Sequence, residues 1–179
     1  MRSPVTKKTH LYPFIITALT VVFDQLTKYL VVKSIPLQGV GFTMLNDFFR
    51  IIHVRNLGMA FSMGHDLSTN LRTIGLIVLP LIVMAVVVVY FFKTDELTLF
   101  QRYILCGILG GGIGNVAIDR IFRPEGVVDF ISVKFYGFLG MQYFPTFNIA
   151  DSVVVVSGIL MLISIIIQSH NESMAKSEK

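Results

Sequence analysis

Residues 147–167 read F-N-I-A-D-S-V-V-V-V-S-G-I-L-M-L-I-S-I-I-I, and this stretch decides the fold. At about 1.5 Å of rise per residue it is long enough to cross the roughly 30 Å hydrocarbon core of a bilayer as one helix. Beyond Asp151 it carries no charge, and a helix that is apolar on every side belongs either in a membrane or in a large core. The remainder of the chain chooses between them. It has 179 residues, 54% hydrophobic and only 15% charged, with a mean hydropathy of +0.72, whereas a soluble domain carries about 25% charged residues. A chain this short has too little interior to hide so much apolar surface. A soluble enzyme, a disordered chain and a nucleic-acid binder of the usual charged type are thereby excluded.

Three further stretches meet the length criterion of about 20 apolar residues, at 13–32, 73–92 and 99–118. Lys7 and Lys8 ahead of the first suggest a secretory signal, but no small-residue cleavage site follows and the run continues through Asp24 and Lys28. The segment reads as a retained span. The expected architecture is an all-α membrane protein with four transmembrane helices in a single domain. The formal charge of +4 fits basic flanks of apolar segments better than a phosphate-binding face.

The links between spans are unequal. Residues 93–98 make a tight turn, while 34–71 and 122–146 form long connections on the opposite side. The first long link contains F-F-R-I-I-H-V-R, whose alternation at Ile52, His53, Val54 and Arg55 suggests a short strand. The second is crowded with aromatic residues and reads as a loop lying along the membrane interface. Orientation follows from the basic residues. With the N-terminus inside, Arg2, Lys7, Lys8, Lys93, Arg102, Lys176 and Lys179 are cytoplasmic. Lys33, Arg50, Arg55, Arg72, Arg120, Arg123 and Lys134 then lie outside. The numbers are equal, but the inner segments are shorter and the first span has its basic cluster on the N-terminal side, which favours both termini inside.

Intramembrane polar groups are costly and mark function by default. Asp24 and Lys28 lie late in the first span, Asp119 and Arg120 close the third, and Asn148 and Asp151 open the fourth. Chain parity puts all of them, with Asn56 and Asp129 of the long links, at one membrane face. Each also has a plain structural reading. Asp24 and Lys28, spaced i,i+4, can form an ion pair with Lys28 snorkelling outward. Asp119 and Arg120 can end a helix at the headgroups. Gly107, Gly110, Gly111, Gly112 and Gly114 fit close helix packing, since no strand precedes them as a phosphate loop requires. Cys106 reads as a buried small hydrophobe, and as the single cysteine it excludes an internal disulfide. His10, His53, His65 and His170 lack metal-ligand spacing. Met44, Met59, Met63 and Met141 read as packing or interface residues.

Asp129 and Asp151 differ from these. Asp129 is embedded in G-V-V-D-F-I, where a solvated aspartate is unexpected, and Asp151 stands at the entrance to the long apolar helix. Asp151 could serve the helix N-terminus, whose free N–H groups favour a carboxylate. Two carboxyls in a semi-apolar site cannot both ionise easily, so one would hold a proton near neutral pH. Such a pair can activate water with one member and protonate a reacting group with the other. A proton- or ion-coupled carrier would also use membrane carboxylates and is the competing class.

At these residues the chain resembles the lipoprotein signal peptidases (signal peptidase II), a bacterial family of membrane aspartyl peptidases. The motifs run in order: D-Q-L-T-K from Asp24, N-L-G-M-A-F-S from Asn56, G-G-G-I-G-N from Gly110, D-R at Asp119, V-V-D-F from Val127 and F-N-I-A-D from Phe147. The resemblance implies that Asp129 and Asp151 are the catalytic dyad. It implies that Asp24, Lys28, Asn56, Gly58, Asn115, Asp119, Arg120 and Asn148 support it or bind substrate. It further implies cleavage of prolipoproteins just before a diacylglyceryl-modified cysteine, inhibition by globomycin and no metal or cofactor. A small β-cradle is implied in the first long link, over 34–71, and a segment covering the site in 122–146. The expected location is the bacterial cytoplasmic membrane with the site at its outer face, and the expected state is a monomer among membrane lipids, without a nucleic-acid partner. One departure stands out. The family pattern has two residues between the Asn and the Asp-Arg, and here Val116, Ala117 and Ile118 make three. One extra residue turns an α-helix by about 100°. Either a π-bulge absorbs it, or Asn115 and Arg120 cannot both face the site.

Overall fold

The computed structural model describes residues 11–58 and 68–177, without the side chains of Thr69 and Arg72. His10, His65, Met59 and Met63, the 59–62 part of the second motif, and the basic residues Arg2, Lys7, Lys8 and Lys179 lie outside the described residues. In chain order the elements are α1 (Phe14–Ser34), β1 (Val40–Met44), β2 (Phe49–Asn56), α2 (Thr69–Thr73), a π-helical segment π1 (Ile74–Val78) and α3 (Leu79–Lys93). They continue with α4 (Leu99–Gly112), a second π-helical segment π2 (Ile113–Arg120), β3 (Val127–Val133) and α5 (Ile149–Ser177).

Local sequence explains the boundaries. α1 ends because Pro36 forces the preceding residue out of the helical region, and Ile35 is extended at φ −124° and ψ 123°. α4 begins with a capping box: Gln101 N donates to Thr98 Oγ1 at 3.2 Å, and Thr98 N donates to Gln101 Oε1 at 2.9 Å. Arg102 does not stand at the headgroups as a free basic flank. It is 1% exposed and staples the tight turn from inside, donating to Phe91 O and Thr94 O at 2.7 Å each.

Among the described residues, three helices are long and apolar enough to cross a membrane: Phe14–Ser34, Ile74–Lys93 and Ile149–Ser177. Large apolar side chains such as Val22, Val86 and Ile166 are exposed along them, which is the pattern of helices that meet lipid. The expected span at 99–118 is helical but divides into 14 α-helical and 8 π-helical residues, so neither part alone reaches span length. This pair of segments is the hub around which the other helices pack. Cys106 is fully buried in it. A Cβ at Gly110 would lie 2.7 Å from Thr20 Cβ of α1, and one at Gly111 would lie 2.7 Å from the Ala150 carbonyl oxygen of α5. Only glycine lets both neighbours approach so closely, so the glycine cluster serves packing.

The sheet is antiparallel in the order β1-β2-β3. β2 is the expected strand of the first long link, extended to eight residues. β3 is a correction to the reading of 122–146 as an interfacial loop. Its first half is a strand pairing with β2, and the rest returns alongside it through bridges at Lys134–Tyr143 and Ile131–Phe147. The apolar string around Asp129 is what a strand covered on both faces requires, and Val127, Val128, Asp129 and Phe130 are all buried. Val128 and Phe130 pack with Val31 and Ile35 at the end of α1, which fixes the sheet to the helices.

Candidate active site

Asp129 comes from β3, and Asp151 from the first turn of α5. Asn148 holds both. Its Nδ2 donates to Asp129 Oδ1 at 2.7 Å, and its backbone N donates to Asp151 Oδ2 at 3.1 Å. The remaining carboxylate oxygens are also held by amides. Asn56 Nδ2 donates to Asp129 Oδ2 at 2.9 Å, and Asn115 Nδ2 donates to Asp151 Oδ1 at 2.7 Å. Neutral donors fix the geometry of both carboxyls without placing a cation directly on either. Asp129 is 3% exposed. Burial pushes its carboxyl up to about 7; the hydrogen bond from Asn56 works against that, and the charge of Asp151 adds to it.

The helix-cap role considered for Asp151 is present too. Its backbone N donates to Asn148 Oδ1 at 3.0 Å while its carboxylate accepts from Asn148 N, so the two residues cap α5 reciprocally. The cap and the meeting of the two aspartates at one place are therefore compatible.

Behind this pair lies a buried ionic cluster. Lys28 Nζ donates to Asp24 Oδ2 at 2.7 Å, Asp119 Oδ2 at 2.6 Å and Asn115 Oδ1 at 2.5 Å. Lys28, Asp24 and Asp119 are fully buried, so Lys28 does not snorkel outward and Asp119 does not end its helix at the headgroups. Arg123 Nη1 donates to the other oxygen of Asp119 at 2.7 Å, and the four charges sum to zero, as a buried cluster requires. Asp24 Oδ1 also accepts from Ala150 N at 3.0 Å, anchoring the N-terminus of α5 to α1.

Two members of this cluster escaped the sequence reading. Gln25 Nε2 donates to Asp24 Oδ2 at 3.0 Å and Asp119 Oδ1 at 3.2 Å, while its Oε1 accepts from Arg123 Nη2 at 2.8 Å. Arg123 follows Asp119 at i,i+4 and Gln25 is a polar residue inside a span, so both carried a signal in spacing and placement.

The extra residue between Asn115 and Asp119 is accommodated by π2, which winds Ile113–Arg120 with wider turns. Asn115 and Arg120 consequently both reach the site. Arg120 Nη2 donates to the Gly58 carbonyl at 2.6 Å, tying π2 to the end of β2, and Gly58 N donates to Asn56 Oδ1 at 2.9 Å. Every site residue expected from sequence is thus in the assembly. Asp129, Asp151, Asn56, Asn115 and Arg120 line one cavity of about 750 Å³, and Leu76, Val154 and Val155 form part of its apolar wall. Such a chamber suits an apolar chain whose one polar stretch must meet two carboxyls. Among the described residues no group of three or more His, Cys, Asp or Glu is placed to hold a metal ion.

A family model described as signal peptidase (SPase) II matches residues 16–167. The lipoprotein signal peptidase of Treponema pallidum (strain Nichols) is 48% identical over 161 residues, covering 90% of this chain and 86% of its own length. That of Treponema denticola is 44% identical over 170 residues, covering 95% and 97% respectively. A solved structure described as a bacterial membrane enzyme is similar with a TM-score of 0.74 at 30% identity, over 89% of this chain and 90% of that one.

Proposed function

This chain belongs to the signal peptidase II family, and on that premise we propose that it is a membrane aspartyl endopeptidase of the bacterial cytoplasmic membrane. Its substrates are prolipoproteins carrying a diacylglyceryl-modified cysteine, and it cuts just before that cysteine. The observation that carries the proposal is the joint hold of Asn148 on Asp129 and Asp151 at one cavity. Family membership leaves the carrier alternative without support.

In this reading α4 with π2 is the fourth crossing, both termini face the cytoplasm and the site lies at the outer face. That placement rests on chain parity and on the concentration of buried polar residues at one end of the helices. The lipidated precursor enters sideways from the bilayer as a monomeric enzyme's substrate, and globomycin-type peptides compete for the same chamber.

The dyad shares one proton at neutral pH. The ionised carboxylate takes a proton from water as its oxygen attacks the scissile carbonyl, and the protonated partner gives its proton to the carbonyl oxygen. This yields a tetrahedral diol. The first carboxyl then protonates the leaving amine of the cysteine, the C–N bond breaks, and the second recovers a proton from the diol as the new carboxylic acid forms. Asn56, Asn115 and Asn148 keep both carboxyls in register throughout. Arg120, 2.6 Å from the Gly58 carbonyl, contributes further N–H donors that suit carbonyl oxygens of the peptide or lipid.

The test is incubation of the purified protein in detergent with a synthetic diacylated precursor, with and without globomycin. Cleavage before the lipidated cysteine, blocked by globomycin and absent in Asp129→Asn and Asp151→Asn, is expected. Near wild-type processing by either folded variant overturns the dyad.

A further inference from the structure

Asn56 and Asp129 stand where two cavities meet. One is the apolar chamber between the helices; the other is a groove of about 450 Å³ outside the helical layer. Val54, Arg55 and Asn56 of β2 form one wall of the groove, and the returning 141–146 segment forms the other. Phe144, Pro145 and Thr146 line both cavities and partition them. The two differ in chemistry. The inner chamber is walled mainly by apolar side chains, with the Arg120 guanidinium among its few polar groups already tied to Gly58, whereas the groove presents the Arg55 guanidinium and the Tyr143 phenol.

The phenol is committed, since the Tyr143 hydroxyl donates to Asp47 and the Arg50 guanidinium lies 3.5 Å from its ring centroid. Arg55 is not. It is half-buried, and among the described residues its one hydrogen bond runs from Nη1 to the Gly126 carbonyl at 3.2 Å. Most of its N–H donors are therefore left for something else in the groove. A peptide bond held at Asp129 has to leave in two directions, one into each cavity. The apolar signal segment matches the chamber facing the helices, which leaves the groove to the polar chain on the other side of the cut.

We propose that this groove binds the polypeptide immediately following the lipidated cysteine, and that Arg55 makes it favour acidic over basic residues there. The inference rests on the peptidase reading above. Arg55 acts as a specificity determinant through charge, in a setting open enough that the preference is modest and sensitive to salt.

The experiment uses the full-length protein in detergent with three diacylated precursors that differ only at the second and third residues after the cysteine: acidic, neutral or basic. The wild type is expected to cleave the acidic precursor over the basic one by about five-fold in kcat/KM at low ionic strength, with the ratio shrinking towards one in about 0.5 M salt. Arg55→Gln is expected to level the ratio, Arg55→Glu to reverse it and Arg55→Lys to keep it. Equal wild-type rates on all three precursors, or an unchanged ratio in Arg55→Glu, would overturn the inference while leaving the peptidase reading standing. Should an Arg55 variant not fold, the wild-type series and its salt dependence decide. Cleavage of none of the three by the wild type removes the peptidase reading, and this inference with it.

Discussion

Asn148 and Asp151 hold each other reciprocally: the Asp151 backbone N–H reaches Asn148 Oδ1 at 3.0 Å, and the Asn148 N–H reaches Asp151 Oδ2 at 3.1 Å. The carboxyl proposed to react is thus also the one that starts α5. An amide at 151 can still accept from Asn148 N but turns its NH2 towards the Asn115 amide, so Asp151→Asn is expected to cost about 1–3 kcal/mol in thermal unfolding. The same variant is expected to lose at least about 10²- to 10⁴-fold in processing rate. A stability loss large enough to account for the missing activity would count against the chemical role.

Asp129 makes stability and activity depend on pH. Its carboxyl sits at about 7 instead of its ordinary 3.8, so the folded protein keeps a proton that the unfolded chain has released. The contribution of Asp129 to stability is greatest below about pH 4, declines as pH rises from there to about 7, and levels off above that. Asp129→Asn is expected to be more stable than wild type at pH 8, by an amount on the order of a few kcal/mol, and to match it near pH 4. Denaturation followed across pH in one detergent checks this, and a constant difference would refute it. Processing by the wild type is expected to fall above about pH 7, as the shared proton is lost.

Lys28 is surrounded by Asp24, Asp119 and Asn115 with no exposure of its own. Lys28→Met leaves two buried carboxylates without their shared cation and is expected to cost about 3–5 kcal/mol. Adding Asp24→Asn is expected to recover part of that loss. An Arg123→Ala variant provides the contrast. Its side chain is 32% exposed, so its pair with Asp119 is worth less, about 1 kcal/mol. Equal costs for the two lysine and arginine variants would show that burial does not set the scale.

The winding of π2 leads to an expectation that runs against habit: removing a residue beside the site preserves function. In a regular α-helix Asn115 and Arg120 would point about 140° apart. In π geometry, at about 80° per residue, they come within about 40°. Deleting Ala117 allows the regular α-helix to bring the same two side chains within about 40°. The deletion is expected to process precursor within about ten-fold of wild type. Asn115→Ala, which strips the amide from Asp151, is expected to do worse. A folded deletion variant as impaired as Asn115→Ala would show that π2 does more than absorb the insertion.

Much of this protein was legible in its residues. The charge-free run after Asp151 announces a membrane helix, and Asp129 amid G-V-V-D-F-I announces an aspartate that water does not keep. Even the extra residue after Asn115 narrows the outcome to two, a π turn or a side chain turned away from the site. These signals are local: each depends on what a dozen neighbouring side chains will tolerate, and hydrophobic burial and hydrogen-bond geometry act at that range. The failures have the same root. Arg102, Arg123 and Lys134 are chemically alike and read alike as basic flanks, yet one is 1% exposed inside a turn and another closes a buried ionic cluster. The 122–146 segment reads as an interfacial loop because its partner strand lies some 70 positions earlier, and periodicity is blind to that distance.

The sequence by itself determined the solvent this chain belongs to, where its helices run and which carboxyls are out of place. Only the tertiary structure decided which groups meet. Asn148 bridges Asp129 and Asp151 because β3 and α5 both dock on the end of α1. π2 is held at Asn115, Asp119 and Arg120 by partners from α1, α5 and the end of β2, three anchors fixed elsewhere in the chain that leave the backbone no regular α-helical path between them. Hydrogen bonds between distant segments carry no periodicity, so their partners are chosen when the helices pack.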